Sequence, residues 1–291
     1  GMILIAWLIS GDVGGVGRVV DHARAAGKLQ LFPGGGLDAW VPFIGAGITM
    51  MLGSIPQQDV FQRMTSARTE KIAVRGSVLG GVLYFAFAFV PMFLAYSATL
   101  IDPKVYGDMI AADSQLVLPN LILQHTPLVA QVFFFGALLS AIMSTASATL
   151  LAPSVMFTEN ILKHFALKHM SDQQMLRTMR IIVLTFGVIV LAFALQSNES
   201  IFKMVENAYK VTLVGAFVPL AFGLYWKRAN NQGALLSIAL GLGSWLSMEF
   251  IQPDTIWPPQ LAGLLLSVAG MLAGSLLPNM LRSHHAVQSK T

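Results

Sequence analysis

Apolar residues run along this chain in long, nearly unbroken blocks separated by short polar segments, without the two-residue alternation of half-buried strands. Six blocks, Ser77–Leu100, Leu128–Ile161, Met179–Leu195, Ile201–Trp226, Gly233–Phe250 and Gln260–Leu277, have the length and apolar content of a helix crossing a hydrocarbon core. A seventh, Trp40–Gln58, is interrupted by Gly45, Gly47, Gly53 and Pro56. The opening, Gly1 to Ser10, is apolar from its first residue and too short to span, so it reads as the end of a helix begun upstream. Between these blocks, Gly11–Gly36 is Gly-rich and amphipathic, and Asp102–Thr126 reads as a long loop with a short helix over Ser114–Gln124. The pattern therefore predicts one all-α transmembrane domain over residues 1–291, N-terminally incomplete, with about seven complete spans and one truncated. Residues 278–291 form a polar tail.

Composition sharpens the class. Hydrophobic residues make up 55% of the chain and charged residues 11%, against about a quarter charged in soluble domains. Mean hydropathy is +0.67. With no cysteine, disulfides, thiol nucleophiles and thiolate metal sites are excluded. No phosphate loop, nucleophile elbow or intramembrane acid–base pair is present, so neither an enzyme nor a nucleic-acid binder is expected. The net charge of +4 matters through its placement. If the loop holding Arg63, Arg68, Lys71 and Arg75 faces the cytoplasm, strict alternation puts Lys163, Lys168, Arg177, Arg180, Lys227, Arg228, Arg282 and Lys290 on the same side. Only Arg18, Arg24, Lys28 and Lys104 fall opposite, and that bias orients helical membrane proteins. Segments 62–75, 162–178, 227–232 and the C-terminus are therefore expected in the cytoplasm, with the chain multi-pass in the cell membrane.

The helix Leu128–Ile161 carries Ser140, Ser144, Thr145, Ser147 and Thr149 within an apolar run. Ala141, Ser144, Thr145 and Ala148 recur at spacings of three and four and so share one face. Adjacent hydroxyls on such a face suit a small hard cation, which takes oxygen ligands. The competing reading is close helix–helix approach, with each hydroxyl bonded back to its own helix. A second feature is the interrupted block ending Gly53-Ser54-Ile55-Pro56-Gln57-Gln58. Breaks by Gly and Pro at membrane depth free backbone groups that must face a ligand, water or protein; Gly and Pro also mark ordinary helix ends.

Three segments together resemble the sodium/solute symporters, which include proline, pantothenate, sialic acid and sodium/glucose carriers. They are Gly53-Ser54-Ile55-Pro56-Gln57-Gln58-Asp59-Val60-Phe61-Gln62-Arg63 with Ser66–Ala73, then Ala141-Ile142-Met143-Ser144-Thr145, then Gly223-Leu224-Tyr225-Trp226-Lys227-Arg228-Ala229 with Gly233-Ala234. The resemblance implies part of a leucine-transporter-like bundle of inverted repeats, entered at its fifth core helix. It implies a sodium site on the Ala141 carbonyl and the Ser144 and Thr145 hydroxyls, with further carbonyls from a first core helix outside this chain. A second sodium would use Ser147, but Ala148 stands where another hydroxyl is expected, so one sodium is favoured.

The implied function is sodium-coupled uptake of a small organic solute by alternating access. Sodium is the coupling ion, no other cofactor is called for, and the partners are solute, sodium and the bilayer, with oligomeric state open. Candidates for lining a solute cavity are Thr49, Ser54, Gln57 and Gln58 on the broken block and Asn207, Tyr209 and Thr212 on Ile201–Trp226. The second group equally suits the polar outer end of a span. Lys203, Glu206 and Lys210 have the spacing of a mutually compensating cluster. The rival function is a solute sensor of the kind joined to histidine kinases, which a kinase reading frame beyond Thr291 would reveal. His284-His285 reads as solvated, and His125, His164 and His169 lack metal-ligand spacing.

Overall fold

The computed structural model describes residues 1–163, 171–197, 199–251 and 256–278, with the backbone alone at Gln58, Asp59, Gln62 and Arg63. His164, His169, His284, His285 and all of the expected tail except Pro278 lie outside the described residues. No strand occurs among those described. Contacts divide the chain into two units, Gly1–Leu31 with Gln62–Ser200, and Phe32–Phe61 with Ile201 onward.

In the first unit, helix α1 (Met2–Asp12) buries Ile5 and Ile9 completely. Gly14 and Gly15 then adopt φ of +81° and +96°. That left-handed pair, which glycine accepts without penalty, turns the chain through 81° into α2 (Val16–Ala25). Helix α2 buries Val19 and Ala23, one turn apart, and leaves Arg18 and Arg24 exposed. The 32-residue α5 (Glu70–Ile101) starts at the Thr69 N-cap, whose hydroxyl accepts from the Ile72 amide at 3.3 Å. Its last turns bury Leu94, Ser97 and Ala98.

The segment expected as a loop carrying a short helix over Ser114–Gln124 contains that helix, and the rest of Asp102–Thr126 is helical almost throughout. It forms α6 (Pro103–Asp113), a 3-10 turn (Ser114–Leu116) and α7 (Val117–His125). The cause is capping: Asp102 accepts from the amides of Lys104 and Val105, Pro103 opens the helix, and Asp113 accepts from the Gln115 amide. Tyr106, Val117, Leu121 and Ile122 close one core over Ile5, Ile9, Leu94 and Ala98, joined by Ala130 and Phe134 of α8 (Leu128–Met156). Burial raises the Tyr106 phenol above its usual 10, and the Asp102 carboxylate pushes the same way, so the ring stays neutral there. His22 Nε2 and Thr99 Oγ1, 3.1 Å apart, join α2 to α5. Helix α8 continues through a π-turn (Phe157–Leu162). It packs against α9 (Asp172–Gln196), where Phe157 and Phe186 meet edge to face at 5.6 Å. Helix α9 begins at a Ser171–Gln174 capping box.

In the second unit, α3 (Leu37–Gly53) runs continuously through Gly45 and Gly47 and stops at Gly53. Only the Gly53–Pro56 interruption breaks the block, because Pro56 has no N–H to continue the ladder. The chain resumes as α4 (Gln58–Thr65). A 25-residue span is built from α10 (Ile201–Thr212), a π-turn (Leu213–Phe217) and α11 (Val218–Tyr225). Helices α12 (Asn231–Ile251) and α13 (Pro259–Leu276) form its closest pair. Gly233, Ser237 and Gly241 on α12 face Gly263, Ser267, Gly270 and Gly274 on α13, all buried. Backbones therefore meet directly, and the Ser237 and Ser267 hydroxyls bond at 2.8 Å inside the seam.

Among the described residues, six helices are long and apolar enough to cross a membrane. The block expected as the seventh complete span is the shorter α3, and the truncated first span is α1. Apolar side chains such as Phe85, Val188 and Phe193 stand 68%, 65% and 68% exposed along α5 and α9, a surface suited to lipid. One contrast tests the seam. A Cβ at Gly241 overlaps the Val214 carbonyl and Ser267, whereas one at Gly243 meets nothing within 4 Å. Gly241→Ala should lower the thermal midpoint in detergent, by about 1–3 kcal/mol of overpacking. Gly243→Ala should hold or raise it, since alanine is the better helix former.

Candidate functional site

Helix α8 sorts its hydroxyls into two groups. Thr149 Oγ1 donates to the carbonyls of Thr145 at 2.9 Å and Ala146 at 3.3 Å, Ser154 to Leu150 at 2.6 Å, and Thr158 to Ser154 at 2.7 Å. These follow the back-bonded pattern of hydroxyls in apolar helices. Ser140, Ser144, Thr145 and Ser147 make no side-chain hydrogen bond among the described residues, and all four are exposed within their unit. The Ser144 and Thr145 hydroxyls are thus available, one turn beyond Ala141, on the face they share. Together with the Ala141 carbonyl they make three oxygens, about half of what a hard cation takes. Ser147 offers a fourth hydroxyl near the same turn, followed by the methyl of Ala148. Among the described residues no group of three His, Cys, Asp or Glu could hold a metal ion.

The break gathers a second set. Thr212 Oγ1 donates to the Gly53 carbonyl at 2.6 Å, the acceptor left over where α3 stops. The same oxygen accepts from Gln57 Nε2 at 3.3 Å and lies 3.2 Å from the Ala208 and Tyr209 carbonyls of its own helix. Gly53 sits so close to the Tyr209 carbonyl that a Cβ would overlap it. Gln57, Tyr209 and Thr212, three of the sequence candidates, therefore meet at one point, and glycine is required opposite Tyr209.

The other candidates are placed elsewhere. Thr49 is fully buried, and its hydroxyl donates to the Gly45 carbonyl at 2.7 Å. Ser54 caps the end of α3 through the Met51 carbonyl at 3.0 Å. The Gln58 side chain lies outside the described residues. Asn207 accepts from Lys210 Nζ at 3.2 Å, and Lys210 pairs with Glu206 at 3.7 Å. Asn207 also borders a groove of about 370 Å³ with Val211, Trp245 and Glu249. Trp245 Nε1 and Gln260 Oε1 are buried without a hydrogen-bond partner among the described residues. Sequence reading passed over both, and the one local signal was the four-residue spacing of Trp245 and Glu249 on a face of α12.

Comparison with known proteins places these features in a family. The family model described as "Sodium:solute symporter family" matches residues 1–241. The osmoregulated proline transporter OpuE of Bacillus subtilis is 25% identical over 295 aligned positions, covering 94% of this chain and 56% of that protein. The sodium/proline symporter of Haemophilus influenzae is 27% identical, covering 71% of this chain and 42% of its own length. The human high affinity choline transporter 1 is 28% identical, covering 67% and 34%. The chain thus spans between about a third and just over half the length of these curated relatives, all of them transporters rather than enzymes. With its apolar spans, the interruption that ends α3 and the hydroxyl-bearing face of α8, the chain belongs to the sodium:solute symporter family.

Proposed function

We propose that this chain carries part of the machinery of a sodium-coupled importer of a small organic solute, with sodium held on α8 by the Ala141 carbonyl and the Ser144 and Thr145 hydroxyls. The observation that carries the reading is the pair of uncommitted hydroxyls at Ser144 and Thr145, on a helix whose other hydroxyls at Thr149, Ser154 and Thr158 bond back to its own backbone. A leucine-transporter-like arrangement of inverted repeats supplies the remaining carbonyls from another core helix. One sodium is bound, because Ala148 offers no hydroxyl for another. The curated relatives named for proline make proline the first solute to test, with choline next.

The positive-inside bias supports placing segments 62–75, 162–178, 227–232 and the C-terminus in the cytoplasm. Sodium then enters down its potential, worth about 2.3 kcal/mol per 100 mV, and its binding favours the outward-open state from which solute loads. Gln57, Tyr209 and Thr212 belong to the solute path. At the break, Thr212 stabilises a carbonyl that the helix no longer satisfies, and holds the Gln57 amide beside it.

Two sets of variants test this. In a transporting form of the protein, Ser144→Ala and Thr145→Ala should each raise the sodium concentration for half-maximal proline uptake by about tenfold. Sodium dependence unchanged in both would sink the sodium assignment. Thr212→Val should cost about 1–3 kcal/mol in thermal stability by orphaning the Gly53 carbonyl, and should lower uptake while leaving the sodium requirement unchanged. Thr212→Ser, which keeps the hydroxyl, should restore both.

A further inference from the structure

The first unit holds a cavity of about 280 Å³ between α2, the turn that follows it and the Phe89–Tyr96 stretch of α5. Val20 and Ala23 form one wall, Phe89, Met92 and Phe93 the other, and Lys28 stands at the rim. Its size lies just below the roughly 300–1,000 Å³ of small-molecule pockets, so it takes a chain segment rather than a whole lipid. Its surroundings are those of a membrane boundary. Phe89, Met92 and Phe93 belong to a helix long enough to span, whereas α2 leaves the direction of α1 by 81° and is amphipathic, as a helix lying in the interface is.

Charge identifies the occupant. Under the orientation proposed above, the non-cytoplasmic side carries few basic residues, yet Arg18, Arg24 and Lys28 stand together on α2 and its following turn. Arg24 is paired with Asp21 at 3.1 Å. Lys28 forms no ion pair among the described residues and is exposed at the cavity mouth. An apolar slot opening from the membrane-spanning part of α5, with an uncompensated ammonium at its polar end, matches an acyl chain joined to an anionic headgroup. We propose that this groove binds one anionic diacyl phospholipid, an acyl chain lying against Phe89, Met92, Phe93 and Val20, and the phosphate meeting Lys28. The site rests on membrane embedding and on the charge placement of α2, not on sodium coupling, so its failure leaves the symport reading standing.

The test is native mass spectrometry of the chain released from nanodiscs of equal parts phosphatidylglycerol and phosphatidylcholine. The unmodified chain should retain phosphatidylglycerol preferentially, independently of sodium. Lys28→Gln, a change at an exposed position, should cut that preference about fivefold, the factor corresponding to ~1 kcal/mol for one lysine at an anionic surface. Val20→Trp, which fills the slot, should release the bound lipid while circular dichroism keeps its helical signal. Equal retention of the two lipids by the unmodified chain overturns the proposal, as does a preference unchanged by Lys28→Gln. A dimer abolished by Val20→Trp also overturns it, by assigning the groove to a second copy of the chain.

Discussion

In a hydrocarbon solvent each backbone N–H and C=O has to find a partner inside the protein, and the architecture of this chain follows from how that demand is met. Unbroken helices meet it internally, which is why most of the chain is spanning helix. The exceptions are informative. Where α3 stops at Gly53, the carbonyl left without an amide is taken by Thr212, 159 positions away. The hydroxyl that repairs the backbone also receives the Gln57 amide. One side chain therefore makes the interruption tolerable and fixes a polar group beside it. The contact works only because Gly53 lets the Tyr209 carbonyl approach where a Cβ would not fit.

The two units pack by different means. In the first unit the short capped helices α6 and α7 cover Ile5, Ile9, Leu94 and Ala98 with large apolar side chains. In the second unit the α12–α13 seam has little hydrophobic driving force, since lipid tails are as apolar as leucine. It depends on close van der Waals approach along Gly233, Gly241, Gly263, Gly270 and Gly274, with the Ser237–Ser267 bond satisfied inside. Small residues are thus structural there, although α8 uses a similar stripe around Ala141 to leave oxygens available.

That difference on α8 bears on the proposed sodium site. A hydroxyl bonded to its own helix would have to break that bond before meeting an ion, whereas Ser144 and Thr145 start uncommitted. The back-bonded residues Thr149, Ser154 and Thr158 lie further along the helix, where it packs against α9. Polar groups that commit to the helix stabilise the bundle, and those that do not remain free for exchange with solvent, ion or solute. In the proposed reading, that freedom serves the binding of sodium.

Much of this was legible along the chain. Blocks such as Ser77–Leu100 and Gln260–Leu277 reappear as helices because length and apolar content alone decide whether a segment can satisfy itself in lipid. The stop at Gly53–Pro56 and the shared face of Ala141, Ser144 and Thr145 were equally visible, since a missing N–H and a 3.6-residue period are local properties. The short helix over Ser114–Gln124 was legible too, whereas α6 was signalled by Asp102-Pro103 but hidden by its low hydropathy, because capping, not apolar content, starts it. Which hydroxyls stay free, which glycines admit a neighbour's carbonyl, and that Thr212 answers Gly53 were decided only by tertiary structure. A hydrogen bond needs two groups within about 3 Å, and residues 159 positions apart reach that distance only once the helices carrying them have packed.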